Sequence, residues 1–341
     1  MGGNMKKLLT VFVIVMMVIS SVFAGGAAES AAQQSSVKKL DLGTIYTPGS
    51  TCDLANQKFV ELLNASGLFD VTYYNNAQLG SATDLAEAIQ NGADMIIFIG
   101  PGDYADAYNV PKLSLVATPF LYNDITDIYG ITESELWGGL LSQAESNGLH
   151  IVNAPVVSGS RYFLTNKPVY TPEDFKGMKI RTPNGEIYIN TMKAFNATPA
   201  GIAVSELYTS LAQKIVDGCE FPFADAYTRQ LYEVVKYGAN QAYVTTHDFW
   251  GMSSSLWNSL TAEQQKVINE AAAEASAYSF EIFRDLEAEG KQKLIDNGMK
   301  FVDVDIESFR ACVDTFYSLM NWDADFVAQI EGAMAAYRAK N

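Results

Sequence analysis

Hydrophobic and polar positions follow two patterns along the first half of the chain. Short alternating or continuous apolar runs predict strands, and apolar residues three and four positions apart predict helices. The patterns predict strands at 39–46, 71–74 and 94–99 and helices at 52–63 and 82–90. Alternating strands and helices are typical of a mostly parallel sheet covered by helices.

The same alternation returns in the second half with different residues. It predicts strands at 151–155, 162–165, 179–181 and 217–221, and helices at 185–195 and 205–213. From Thr261 the pattern is helical through about Gly290, and Thr261 with Gln264 forms a capping box at its start. We therefore expect two α/β units followed by long C-terminal helices, which suits a chain of 341 residues.

The start of the chain has the pattern of a secretory signal peptide. Two lysines precede an apolar run over 8–19 that is short for a membrane span, and small residues precede a cleavage site after Ala24. We predict a signal peptide at 1–24, with an uncleaved anchor as the alternative. Residues 25–36 should form a flexible leader, because Ala, Gly, Ser and Gln cannot bury a core. No lipobox cysteine is present near the cleavage site.

Composition and charge exclude several functions. The formal net charge is −16, from 23 Lys and Arg against 39 Asp and Glu, which opposes binding to nucleic acid or anionic membranes. Two histidines and three cysteines are too few for a zinc cluster or a haem site, so we expect no metal and no cofactor. Cys52, Cys219 and Cys312 are expected to be structural, and their disulfide status stays open.

Motifs of catalysis are absent from the sequence. There is no G-x-S-x-G, H-E-x-x-H, P-loop or G-x-G-x-x-G pattern. His247 and Asp248 lack a recognisable third group for acid–base chemistry, so His247 is expected to be structural. We therefore expect a protein without enzyme activity. A secreted α/β hydrolase is the alternative, and the missing nucleophile motif argues against it.

One long region carries a family resemblance. Residues 161–199 (RYFLTNKPVYTPEDFKGMKIRTPNGEIYINTMKAFNATP) and 205–222 (SELYTSLAQKIVDGCEFP) resemble the substrate-binding proteins of tripartite ATP-independent periplasmic (TRAP) transporters. Residues 73–80 (YYNNAQLG) and 118–121 (TPFL) are also similar to that family. The resemblance covers about 40–280, and several ordered motifs make coincidence improbable.

The resemblance implies an α/β fold of the two-lobed class II periplasmic-binding-protein type, with a ligand cleft between lobes and long C-terminal helices. Lobe I should comprise 37–158 plus about 247–286, and lobe II 159–246 plus about 287–341. The family binds an organic acid in the cleft, closes over it and delivers it to an ion-driven membrane permease. We accordingly expect a periplasmic monomer whose partners are a small carboxylate and the permease subunits.

Two arginines are the main candidates for ligand contact. Arg161 begins one predicted strand and Arg181 ends another, and strand ends of α/β sheets border clefts. A guanidinium group binds both oxygens of a carboxylate through parallel hydrogen bonds and stays charged. The resemblance makes Arg181 the carboxylate ligand and Arg161 a second contact.

The remaining candidates are Glu220, Phe221, Val204 and Tyr208. The segment 217–222 usually reads Asp-Gly-x-Glu-Asn-Pro in the family, where the resemblance makes the Asn a ligand contact, but here that position is Phe221. Val204 stands where sugar-acid binders of the family often have an aromatic residue. These two departures predict a monocarboxylate with an aliphatic, keto or aromatic body. Tyr208 fits the motif, with helix packing as its alternative role.

Two further alternatives stay open at this point. The binding component of an ATP-driven importer has the same architecture, although the strings at 179–183 (KIRTP) and 217–220 (DGCE) favour the TRAP type. A receptor that presents its ligand to a sensor kinase is the other alternative. In lobe I, the loop at 100–104 and the turn at 47–51 follow strand ends, so both are expected to border the ligand.

Overall fold

A computed structural model describes residues 37–340 of the chain. The expected signal peptide, 1–24, and leader, 25–36, lie outside the described residues. No helix in the described part is long and apolar enough to cross a membrane. The terms lobe I and lobe II denote below the ranges expected above, whose boundaries remain predictions.

The first elements of lobe I match the sequence pattern. They are β1 (Lys38–Thr44), α1 (Thr51–Ala65), β2 (Phe69–Tyr74), α2 (Ala82–Gln90), β3 (Met95–Ile99) and α3 (Pro101–Ala107). Ser50 caps α1, and Ser81 forms a capping box with Asp84 at the start of α2. Every residue of β3 is buried, as expected for a strand covered on both faces.

The segment that follows departs from the expected strands. It contains α4 (Tyr129–Thr132), α5 (Glu135–Ser146), β4 (Leu149–Ile151) and β5 (Val156–Thr165). The predicted strands at 151–155 and 162–165 are therefore wrong in extent. The chain leaves the sheet before Pro155, which cannot donate a ladder hydrogen bond, and one strand of ten residues follows.

Lobe II contains more strands than the pattern predicts. Its elements are β6 (Lys179–Thr182), α6 (Glu186–Ala194), β7 (Thr198–Gly201), α7 (Leu207–Ala212), β8 (Gly218–Phe221), α8 (Phe223–Thr228), β9 (Tyr237–Ala239) and the start of β10 (Val244–Ser253), which continues into lobe I. The helix predicted at 205–213 is shorter, because a 3-10 turn over Val204–Glu206 precedes it. The strands β7, β9 and β10 were not predicted.

Strands β5 and β10 join the two halves of the sheet. The strand order is β2-β1-β3-β10-β5-β8-β6-β7, with β4 beside β10 and β9 beside both β5 and β11 (Lys300–Val302). The pairs of β10 with β3, β4 and β5, and of β5 with β8 and β9, are antiparallel. The expected mostly parallel sheet is therefore wrong, because these two long strands run against their neighbours.

Five helices form the C-terminal part of the described chain, and the longest of them packs against both lobes. They are α9 (Ser254–Ser259), α10 (Ala262–Asp296), α11 (Ile306–Arg310), α12 (Val313–Leu319) and α13 (Ala324–Arg338). Helix α10 begins with the expected capping box and packs against both α1 and α8. Near its end Gly290 lies so close to α8 that an added Cβ would be 2.6 Å from the Ala224 Cα atom. Midway, Ser279 Oγ accepts a hydrogen bond from the Val157 amide at the start of β5.

The three cysteines are free thiols. Cys52 and Cys219 are buried, and Cys312 is half-buried. Burial raises the pKa of the Cys219 thiol to about 12, so it is protonated and unreactive at neutral pH. Their structural role agrees with the expectation from sequence.

Candidate functional site

A cleft with about 870 Å³ of empty space, part of it open to solvent, lies between the lobes. One wall contains Tyr46, Gly100 and Asp103, from loops and a helix that follow β1 and β3. The other wall is built by residues of β5, β6, β8 and α8 and by the segments that follow them. Both walls therefore form at strand ends, where α/β sheets present ligand-binding side chains.

Arg161 lines the cleft, but a buried carboxylate already holds it. It lies within β5 rather than at its start, and its Nε and Nη2 atoms donate to the side chain of Glu220. The Tyr243 hydroxyl donates to the same carboxylate at 3.0 Å. Burial by itself would lower the pKa of Arg161, and the adjacent Glu220 raises it well above its ordinary value. The pair is thus a fixed, neutralised part of the wall.

Arg181 retains hydrogen-bonding capacity in the cleft. Only 2% of the residue is exposed, and its Nε donates to the Ile202 carbonyl at 2.9 Å. Its Nη1 atom is buried without a hydrogen-bond partner among residues 37–340. Burial lowers the pKa of Arg181 to about 10, which leaves the group charged at neutral pH. A buried charged donor of this kind is stabilised by an anion that enters the cleft.

Phe221 lies among three guanidinium groups. The central carbons of Arg161, Arg181 and Arg229 are 5.8, 5.9 and 5.9 Å from the centroid of its ring. These distances suit cation–π contacts, which stabilise the arginines while the ring supplies an apolar surface. We call these four residues the arginine wall.

Sequence reasoning missed Arg229. It lies just after α8, its Nη2 donates to the Ile45 carbonyl of lobe I at 3.1 Å, and its Nε is buried without a partner in the described chain. Burial lowers its pKa. The sequence feature that could have identified Arg229 is its position directly after the helix that follows the cleft strand β8.

The opposite wall carries carboxyl groups. Asp103 lies on α3, and Asp248 on β10 accepts a hydrogen bond from the Tyr46 hydroxyl. Burial and then the charge of Asp248 raise the pKa of Asp103 to about 7. Burial raises the pKa of Asp248 to about 6 despite the bond from Tyr46. We call Tyr46, Gly100 and Asp103, with Asp248 behind them, the carboxyl wall.

Direct contacts connect the lobes at one side of the cleft. The Thr47 hydroxyl donates to Asp225 Oδ1 at 3.2 Å and lies 3.0 Å from the Thr228 hydroxyl. The bond from Arg229 to the Ile45 carbonyl joins the same two segments. The structure is thus a closed form in which the lobes contact each other across the binding space.

The candidate residues Val204 and Tyr208 lie in different places. Val204 lines the cleft, whereas Tyr208 is outside its lining and its hydroxyl donates to Glu233 at 2.5 Å on the surface. A continuous helix would place residues 204 and 208 on one face, but the 3-10 turn over Val204–Glu206 changes the phase. Glu220 is likewise outside the lining of the cleft, and its carboxylate pairs with Arg161.

Metal and acid–base chemistry have no supporting geometry within residues 37–340. No group of three His, Cys, Asp or Glu residues there could hold a metal ion. His247 is fully buried, its Nε2 lies 3.1 Å from the Ile125 carbonyl oxygen, and burial lowers its pKa to about 3. It is therefore neutral, in agreement with the structural role expected for it.

Two lobes joined by two long strands, with a cleft containing buried arginines, define a protein that binds small solutes. Residues 42–321 match the family described as bacterial extracellular solute-binding protein, family 7 (DctP). The chain belongs to this family. The TRAP resemblance and the two-lobed class II fold are both confirmed.

Named relatives agree with this assignment. A solute-binding protein of Roseobacter denitrificans is 29% identical over 80% of this chain and 83% of its own length. A TRAP periplasmic solute-binding protein of Actinobacillus succinogenes, solved with bound L-galactonate, has a TM-score of 0.83 and 26% identity over 88% of this chain and all of its own. One from Fusobacterium nucleatum, with bound sn-glycerol-3-phosphate, has a TM-score of 0.82 and 27% identity, covering 89% of this chain and 99% of its own.

Proposed function

We propose that this protein captures an organic acid in the cleft and delivers it to the membrane permease of a TRAP transporter. The proposal is carried by Arg181, which lines the cleft and whose buried Nη1 atom has no hydrogen-bond partner among residues 37–340. The bound L-galactonate of the Actinobacillus relative is an organic acid, which supports the same class of ligand here.

Each wall residue then has a separate role. Arg181 binds the ligand carboxylate, and Glu220 positions Arg161 beside it. Phe221 and Val204 form the apolar surface against which the body of the ligand packs. Tyr208 contributes to the surface of lobe II rather than to binding. The protein acts by binding and release, without catalysis.

Delivery to a permease requires export. We propose that residues 1–24 are a signal peptide cleaved after Ala24 and that the mature protein is a periplasmic monomer without a lipid anchor. The intact mass of the exported protein tests the cleavage site, and a mature species that retains residues 8–19 would contradict it. Uptake by the permease should depend on an ion gradient and continue without ATP.

The carboxylate role of Arg181 is tested by substitution. A thermal-shift screen of 2-oxo, 2-hydroxy, amino, aromatic and sugar acids first selects an acid that stabilises the protein. Arg181→Ala should then weaken the binding of that acid by about 2 to 5 kcal/mol, because its carboxylate loses a buried partner. Arg181→Lys should restore only part, since lysine lacks the planar fork.

The matched control is Arg284→Ala, which removes an exposed arginine that pairs with Asp124 on the surface. Calorimetry should find its affinity unchanged. Equal affinities for Arg181→Ala and the wild type would remove Arg181 from the site and contradict the proposed function.

A further inference from the structure

The charges that surround the cleft are divided between its walls. Glu220 neutralises Arg161, so Arg181 and Arg229 are the guanidinium groups of the arginine wall without an ion pair in the described chain. On the other side, neither Asp103 nor Asp248 forms an ion pair within residues 37–340. A ligand that fills the cleft therefore contacts a positive surface at one end and a carboxyl surface at the other.

Gly100 marks the point at which the carboxyl groups converge. A Cβ atom added there would lie 3.2 Å from Asp103 Oδ2, 3.8 Å from Asp248 Oδ1 and 3.8 Å from the Tyr188 hydroxyl. Gly100, Asp103 and Tyr188 all line the cleft. Three oxygen atoms therefore surround one small area of the cleft that carries no side chain of its own, on the side of lobe I.

Charge balance limits the ligands that such a cleft accepts. Asp225, which also lines the cleft, brings a third carboxyl group to face the two guanidinium groups without ion pairs. An acid without a cationic group would add a further negative charge to this enclosed space. Burying an uncompensated charge is costly, so a ligand that also carries a positive group is favoured.

We propose that the ligand is a zwitterion, an amino-acid-like molecule whose carboxylate binds Arg181 and whose protonated primary or secondary amine binds Asp103, with Asp248 behind it. The proposal rests on the proposed function, because it uses the same carboxylate site. Asp103 is then the residue that selects ligands with an amine. An ammonium group donates hydrogen bonds to carboxylates at short range and offsets their charge.

The protonation of the carboxyl wall agrees with this assignment. Asp103 faces Asp248 of β10, Asp106 of its own helix, Arg181 of β6 and Tyr188 of α6. Burial, reinforced by the charge of Asp248, raises the pKa of Asp103 to about 7 although Arg181 opposes that rise. The protonated amine of the ligand would place a second cation beside Asp103 and favour the charged form of its carboxyl group.

A matched series of ligands tests the proposal. The probes are α- and ω-amino acids of three to six carbons, leucine and phenylalanine, each beside its 2-hydroxy, 2-oxo or amine-free counterpart. Calorimetry should give at least tenfold tighter binding for an amino acid than for its amine-free counterpart. Asp103→Asn should reduce the affinity for that amino acid at least tenfold, a loss typical of one charged partner, and should not weaken the binding of the amine-free counterpart, whose charge Asp103 opposes.

Asp41→Asn is the matched control, because Asp41 is exposed on β1 and the substitution removes the same charge from lobe I. It should change neither affinity. The inference is overturned if amine-free acids bind as tightly as amino acids, or if no amino acid stabilises the protein. If amine-free acids bind and Arg181→Ala abolishes that binding, the proposed function stands while this inference fails.

Discussion

The two walls of the cleft hold their charged groups in different ways. In the arginine wall, Arg161 is fixed by Glu220, whose carboxylate also accepts from Tyr243, and Arg181 is fixed by the Ile202 carbonyl. In the carboxyl wall, Asp103 and Asp248 lack ion pairs within residues 37–340, and burial raises both pKa values. The first wall is preorganised by protein partners, whereas the second changes its charge with pH.

The difference has a physical cause. Arginine stays charged under almost all conditions, so a buried arginine needs a fixed partner to offset its desolvation. A buried aspartic acid can take up a proton instead, and its environment then sets the pH at which it becomes charged. One wall is therefore expected to be sensitive to loss of a partner, and the other to pH.

The largest effect should follow from breaking the arginine wall. Glu220→Ala leaves Arg161 buried without its carboxylate and should lower the free energy of unfolding by about 3 to 5 kcal/mol. Urea denaturation measures the loss. The matched control is Glu233→Ala, which removes a glutamate that accepts a surface hydrogen bond from Tyr208 and should leave the midpoint nearly unchanged. Equal midpoints for both variants would show that the buried pair does not support the wall.

A second test concerns the strand that connects the walls. Gly159 in β5 has a φ of +137°, and an added Cβ would lie 2.7 Å from the Cβ and Cγ atoms of Pro222. Gly159→Ala should therefore lower the free energy of unfolding by about 2 to 3 kcal/mol through strain and overpacking. It should also weaken ligand binding, because Pro222 adjoins Phe221.

Gly138→Ala is the control for that substitution. Gly138 lies in α5, and an added Cβ there would have no atom within 4 Å. Alanine should stabilise the helix by about 0.5 to 1 kcal/mol. Thermal unfolding of the two variants compares the effects, and a Gly159→Ala protein as stable as the wild type would contradict the expected clash.

The carboxyl wall should make the stability of the ligand-free protein depend on pH. Because the pKa of Asp103 is raised to about 7 and that of Asp248 to about 6, the folded protein keeps protons that the unfolded chain releases near pH 4. The free energy of unfolding should therefore fall as the pH rises from 4 to 7. Denaturation at several pH values measures this slope.

Asp103→Asn removes one of these groups and should flatten the slope. Glu287 lies outside the lining of the cleft, and burial raises its pKa to about 8. It therefore serves as a reference for pH-dependent stability that does not involve the cleft. Its contribution should persist in the Asp103→Asn variant at higher pH. An identical slope between pH 4 and pH 7 in wild type and variant would contradict the assignment of Asp103.

The smallest effect is expected where the walls touch. Thr47→Val removes the hydroxyl that bonds to Asp225 and lies beside Thr228 while keeping the volume of the side chain. The closed form should lose about 1 kcal/mol, which weakens ligand binding roughly fivefold. Calorimetry measures the change, and Thr72→Val, at an exposed position of β2, is the control. A loss of equal size in both would show that closure does not depend on this contact.

Local sequence patterns determined much of this protein. The strands and helices of 38–99 follow from apolar spacing and capping residues, and the capping box of Thr261 predicted the start of α10. The ordered motifs around Arg161 and Arg181 identified the family and the cleft. These signals are readable because each depends on residues that are neighbours in the chain.

Only the tertiary structure decided which candidate residues face the cleft and which pair with other residues of the protein. The pairing of β5 with β8 brings Arg161 to Glu220, 59 residues away, so that one expected ligand contact is paired with the other inside the protein. The pairing of β10 with β3 brings Asp248 close to Gly100 and Asp103, which follow β3. Strand pairing between distant segments leaves no periodic signal in either one, because its register depends on partners elsewhere in the chain. The charge pattern of the cleft therefore became visible only once the strands were paired.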